Sequence, residues 1–273
     1  MIDAHQHFWK FDPVRHSWIS AEMKVIRTDF QPADLKPVLY RNGFSGSVVV
    51  QVDQTEDETL LLLSTANQHD FIKGVVGWID LRNENLASRL EYFSSLKKLK
   101  GFRHITQGEK RGFLLQPAFS EGVKLLGKYD FCYDLLIYHD QLPEAVDFMS
   151  QIPDVRVVLD HIAKPSIRTK EIDVWRKNIQ AVAAFPNIFC KVSGMVTEAQ
   201  WSGWKYADFV PYLDVVFNAF GTSRLIYGSD WPVCLVSASY DEQLLIIQTY
   251  LRDFSDSEKK QILGENAKRF YNL

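Results

Sequence analysis

Short runs of β-branched and apolar residues recur eight times along this chain, and a segment with helical periodicity follows each of them. The runs lie at Met1–His5, Gly46–Val52, Gly74–Asp80, Leu99–His104, Phe131–Tyr138, Val155–Asp160, Asn187–Val192 and Arg224–Ser229. The periodicity predicts helices over Gln31–Asn42, Glu56–His69, Leu86–Leu96, Phe119–Lys128, Glu144–Ser150, Val174–Ala184, Ala207–Phe220 and Tyr240–Phe254, with a last helix over Ser257–Tyr271 covering one end. Unbroken alternation of this kind predicts a single (β/α)8 TIM-type barrel over residues 1–273, because eight parallel strands close on themselves once and the crossover helices cover the outside. Runs such as SVVVQV and RVVLD are apolar on both parities, as a strand needs when side chains fill the barrel on one face and helices pack on the other. Thr55 and Glu58, and again Ser255 and Glu258, have capping-box spacing, while Gly43 and Gly221 stand where helices stop.

Composition removes several classes of function. With 46% hydrophobic residues in 273, the chain can bury a core without disulfides. Lysine and arginine total 31 against 34 acidic residues, and the basic ones are scattered, so no nucleic-acid partner is expected. Cys132, Cys190 and Cys234 form no CxxC pair and read as buried, reduced thiols. No apolar stretch nears the roughly 18 residues of a membrane span, and MIDAHQHFW has no basic-then-apolar leader, which points to a cytoplasmic protein.

Functional side chains of a barrel come from the C-terminal ends of its strands. Here those ends are polar: Asp3-Ala4-His5-Gln6-His7, Arg103-His104, Tyr138-His139, Asp160-His161, Lys191-Val192-Ser193 and Ser229-Asp230-Trp231. Five of the seven histidines, namely His5, His7, His104, His139 and His161, fall in that set. His5 and His7, two apart on an extended strand, put both imidazoles on one face, which suits one metal ion or one substrate oxygen. Asp230 ends an apolar strand, where a carboxylate can bind a metal or take a proton from water. Asp160 has the opposite strand parity to His161 and is expected to orient a loop instead of sharing the pocket.

The segments MIDAHQHFW, VLDHIAKP, KVSG and LIYGSDWPV, together with GFRHITQ, DLLIYHDQLPEAV, VTEAQW and ILGENAKRFY, resemble the amidohydrolase superfamily, specifically its sugar-lactonase branch of L-fuconolactonase-like and L-rhamnonolactonase-like proteins. The resemblance spans essentially the whole chain. It implies hydrolysis of a sugar-acid lactone, with His5, His7, His161 and Asp230 as the active-site core and Arg103 and His104 near substrate. Related branches open a pyrone dicarboxylate lactone or decarboxylate aromatic acids. The superfamily's two-metal pattern places a bridging lysine at the end of the fourth strand, where this chain has Arg103-His104. That departure implies at most one divalent ion, zinc by preference, held by His5, His7 and Asp230 with His161 or His139 as a further ligand. Some members of these branches work without metal, so none is taken as obligatory.

On this reading Asp230 activates water, while the histidines and Arg103 polarise the lactone carbonyl. Trp9 and Trp231, with Trp201 and Trp204, would wall the sugar ring. Gln51, Lys191, Ser193 and His139 would meet its polar groups. The rivals are a metal-dependent decarboxylase of the same superfamily and a non-catalytic barrel that binds sugar acids.

Overall fold

The computed structural model describes residues 1–273. Eight parallel strands pair in sequence order: β1 (Ile2–Gln6), β2 (Gly46–Val50), β3 (Ile72–Gly77), β4 (Leu99–His104), β5 (Cys132–Leu135), β6 (Val157–Leu159), β7 (Ile188–Val192) and β8 (Leu225–Tyr227). Around them run α1 (Pro32–Arg41), α2 (Glu56–Gln68), α3 (Leu86–Ser94), α4 (Pro117–Lys128), α5 (Leu142–Gln151), α6 (Asp173–Ala183), the short α7 (Met195–Glu198), α8 (Tyr206–Phe220) and α9 (Tyr240–Tyr250). The expected (β/α)8 barrel is therefore present, with strands shorter at their C-terminal ends than the apolar runs suggest. The chain leaves the ladder early there, at Leu136, Asp160 and Gly228, and turns its polar residues into loops.

The ring closes between β8 and β1 through two backbone bonds, from Asp230 N–H to the His5 carbonyl (2.8 Å) and from His7 N–H to the Trp231 carbonyl (2.7 Å). Closure thus lays the HxH of the first strand directly beside the aspartate that follows the last. A register shift in β1 between Asp3 and Gln6 inserts one residue relative to β2. It lets Ile2 and Ala4 join the barrel core while His5 and His7 also turn inward.

Two apolar layers follow from the double-faced strands. Ile2, Ala4, Val48, Val50, Val76, Cys132, Val158 and Ile226 fill the barrel, and Ala267, Phe270 and Tyr271 plug its N-terminal end. A much larger cluster fills the space between strands and helices. The terminal segment expected as one helix is split into α10 (Asp256–Lys260), a wider turn (Gln261–Glu265) and α11 (Asn266–Tyr271). Ser255 and Glu258 form the full reciprocal cap. At α2 only half of it forms: Thr55 accepts from Glu58 N–H, but the Glu58 carboxylate turns away to accept from Val52 and Asp53 N–H (3.0 and 2.7 Å). The three cysteines are buried and free.

Candidate active site

Four side chains converge at the closure seam. His5 Nε2 lies 3.2 Å from His7 Nε2, and Asp230 Oδ1 lies 3.4 Å from His7 Nε2 and 3.9 Å from Nε2 of both His5 and His161. The local sequence makes room for this. His7 Nδ1 donates to the Val50 carbonyl (2.8 Å), which leaves the Nε2 lone pair facing the centre. His161 Nδ1 is bonded to Ser193 Oγ (2.9 Å), and a Cβ on the next residue, Gly194, would come within 2.7 Å of that ring nitrogen. A Cβ on Gly228 would meet the His5 Cβ at 2.6 Å. The glycines of KVSG and YGSD are spacers for two imidazoles.

The backbone is strained at two of these four residues. His161, Ile162, Ala163 and Lys164 all have positive φ (53°, 47°, 56° and 48°), one turn of left-handed helix, and Asp230 has φ 57°. This turn changes the expectation for Asp160 in part: it stays out of the cavity lining, as expected, but it contacts His5, Arg103 and Lys191 instead of orienting a loop. Because the chain leaves strand geometry at His161, Asp160 and His161 both point inward, and Asp160 is fully buried. Its carboxylate lies 3.4 Å from His5 Nδ1, 3.2 Å from Arg103 Nη1 and 3.0 Å from Lys191 Nζ.

Burial drives the His5 and His161 imidazoles neutral. It is the main cause of a His5 pKa well below the ordinary value and of a His161 pKa of about 4. Burial pushes the Asp230 carboxyl upward, but His161, the His7 hydrogen bond and the other imidazoles outweigh it, so Asp230 is ionised. Imidazoles around a carboxylate are the donor set of a divalent metal. His5, His161 and Asp230 bring ligand atoms within 4.8 Å of one another, and His7 Nε2 adds a fourth nitrogen 3.2 Å from His5 Nε2 and 3.4 Å from Asp230 Oδ1, types and spacings that suit a zinc ion. The residues present therefore fit one ion.

A second set of donors, His5, Asp134 and Asp160, lies just below. The Lys191 ammonium occupies it, 2.5 Å from Asp134, 3.0 Å from Asp160 and 3.0 Å from His5 Nδ1. A cation built into the chain thus stands where a second ion would need to sit. Elemental analysis of purified protein is expected to find no more than one divalent ion per chain; two equivalents would show that Lys191 does not fill that position.

Above the cluster opens a cavity of about 500 Å³ lined by His7, His161, Asp230 and Arg103. His5 lies beneath this lining, fully buried. Other residues singled out in the sequence lie elsewhere. Gln51 is buried and clamps Arg103, whose Nη2 donates to the Gln51 Oε1 (3.1 Å) and backbone carbonyl. Lys191 is under His5. His104 is bonded to Glu109 (2.9 Å) and stacked on Phe113, and His139 is bonded to the Lys164 carbonyl (2.9 Å), where it ties down the left-handed turn. Trp231 packs on Phe8 and Phe30, Trp9 donates to the Thr28 carbonyl, and Trp204 packs on Phe209. Trp201 does line the cavity, joined by Trp18, Tyr138, Lys164 and Glu198, which the sequence did not single out as cavity residues. Lys164 had a visible signal: it lies three residues after His161. Glu198 is mostly buried, and burial raises its pKa.

Comparison with known proteins decides the lineage. The family model described as Amidohydrolase matches residues 2–273. The chain belongs to the amidohydrolase family. An L-fucono-1,5-lactonase from Burkholderia multivorans is 38% identical over 100% of this chain and 96% of its own, and one from Burkholderia ambifaria is 32% identical over 100% and 95%. A crystal structure of an amidohydrolase from Burkholderia multivorans with bound zinc is 38% identical, with a TM-score of 0.95 over 100% of this chain and 99% of its own. This amidohydrolase thus shares fold and chain length with relatives that include a zinc-bound one. No helix in it is long and apolar enough to cross a membrane.

Proposed function

We propose that this amidohydrolase opens a sugar-acid lactone, of the L-fucono-1,5-lactone type, by attack of water. The observation that carries the reading is an ionised Asp230 ringed by three imidazoles at the floor of a cavity large enough for one sugar ring. The two relatives named as L-fucono-1,5-lactonases support the choice of substrate.

Hydrolysis of a cyclic ester needs a proton taken from water, stabilisation of the tetrahedral oxyanion, and a proton for the departing ring oxygen. Asp230 Oδ1 takes the first proton and, as the carboxylic acid, returns it to the alkoxide, so the carboxylate is regenerated. Arg103 lines the cavity with a guanidinium held by Asp160 and Gln51, and it is placed to stabilise the oxyanion without reorganising. Neutral His161, with His7 beside it, orients water and carbonyl around Asp230. A divalent ion held by His5, His7, His161 and Asp230, zinc by ligand type, would supply Lewis acidity and lower the pKa of a bound water. Asp230 is a weak base because its own pKa is depressed, and such help would matter most for it.

A pH-indicator screen of purified protein against five- and six-membered aldonolactones, run with and without chelator, tests the reading. Turnover of lactones with the L-fuco hydroxyl pattern above their stereoisomers is expected. Folded protein that turns over no lactone in the panel, or that releases carbon dioxide from aromatic acids, would overturn it.

A further inference from the structure

The cavity has two unlike walls, and they belong to different parts of the barrel. On the side of β8, β1 and β2, beside His7 and Asp230, the lining residues are Trp18, Met23, Val52 and Val233. On the side of β4 to β7 the apolar Ile105, Leu136 and Trp201 also line it, but beyond the central cluster only this side carries charged and hydroxyl-bearing side chains, those of Tyr138, Lys164, Thr197 and Glu198. The apolar wall is a built surface. The 3-10 segment Ala21–Ile26 in the long loop after β1 packs against the 3-10 segment Val233–Val236 after β8, within a cluster of Trp9, Ile19, Ile26 and Val52. The polar wall is likewise fixed. Lys164 ends the left-handed turn with its ammonium 5.4 Å from the Tyr138 ring centre, and Thr197 donates to the Gly194 carbonyl (2.6 Å).

A 1,5-lactone of a 6-deoxyhexonic acid has the same asymmetry. It carries a methyl on the carbon that bears the ring oxygen, and hydroxyls on the carbons between that carbon and the carbonyl. With the ester edge at Asp230 and His7, the carbon bearing the methyl stands next to the wall that flanks those residues. We infer that Met23, Val52 and Val233 form a methyl-recognising wall, and that the opposite wall of Lys164, Thr197 and Glu198 receives the hydroxyls, so that the cavity selects a 6-deoxy lactone over its hydroxymethyl counterpart. The inference rests on the lactonase reading and adds the residues that set the choice at this carbon. An apolar surface gains from the methyl and desolvates the extra hydroxyl without a partner for it.

The test compares kcat/KM for a 6-deoxyhexono-1,5-lactone and the matching hexono-1,5-lactone in wild type, Val233→Thr, Met23→Gln and Lys164→Met, each checked by a thermal melt. The wild type is expected to prefer the methyl lactone, and Val233→Thr and Met23→Gln each to cut that preference about tenfold or more. Lys164→Met is expected to lower both values while leaving their ratio in place. Calorimetric binding of the two open-chain acids gives a readout free of turnover and is expected to follow the same order. Lactone turnover with a ratio unmoved by both wall variants would overturn the wall assignment and leave the lactonase reading standing. Absence of turnover and of acid binding would overturn both.

Discussion

Asp230→Asn is expected to lower turnover per folded molecule by a hundredfold or more, because removing a positioned general base costs 10²–10⁴ in rate. Asparagine is the informative substitution here. Asp230 sits at φ 57°, a region that asparagine tolerates and alanine does not favour, and its backbone N–H closes the barrel onto the His5 carbonyl whatever the side chain. The melting temperature is therefore expected to stay close to that of the wild type. The change removes the charge that faces three imidazoles and the basicity that the mechanism needs, and keeps the shape. Turnover near that of the wild type on the best lactone would take Asp230 out of the mechanism. A large loss of stability with little loss of rate per folded molecule would make it a structural residue.

The barrel was legible in the sequence because strand and helix periods alternate without a gap and the strands are apolar on both faces. The convergence of His5, His7, His161 and Asp230 was legible for a related reason. Once eight strands close in order, the ends of the first and last must be neighbours, and the observed backbone bonds at His5, His7, Asp230 and Trp231 are that adjacency. What escaped the sequence depends on departures from strand geometry. Parity failed in part for Asp160 because four successive residues take left-handed dihedrals, a conformation that His-Ile-Ala-Lys does not announce.

Side-chain reach explains the other differences. Lys191 ends β7 beside Ser193, and only the inward path of its long stem beneath His5 separates a buried cation from a sugar-binding one. Aromatic residues near strand ends were read as a wall, yet Trp231 and Trp9 turn sideways into packing with Phe8 and Phe30. The tryptophans that do reach the cavity, Trp18 and Trp201, come from the loops after β1 and β7, whose course no periodicity encodes.

Lys191→Met is expected to be among the most destabilising single changes in the molecule, by about 3–5 kcal/mol, the scale on which removing one partner of a buried ion pair leaves the other uncompensated. Lys191, Asp134 and Asp160 are all fully buried, and the ammonium is the cation nearest to both carboxylates. Tyr271 also donates to Asp134 (2.9 Å), so the loss would reach the helix that plugs the barrel. The effect should depend on pH with a definite sign. Burial, with repulsion from Asp160, already pushes the Asp134 pKa to about 6 despite the lysine, and without the lysine it must rise further. A carboxyl whose pKa is raised in the folded state adds stability while protonated and loses it as pH rises through that value. Denaturant unfolding of variant and wild type is therefore expected to show a wide gap at pH 8 that narrows at pH 5. Adding Asp134→Asn to Lys191→Met should recover part of the loss, because one of the two stranded charges is then gone. A gap under about 1 kcal/mol, the scale of an exposed pair, that is the same at both pH values would mean that the lysine does not neutralise the floor of this site.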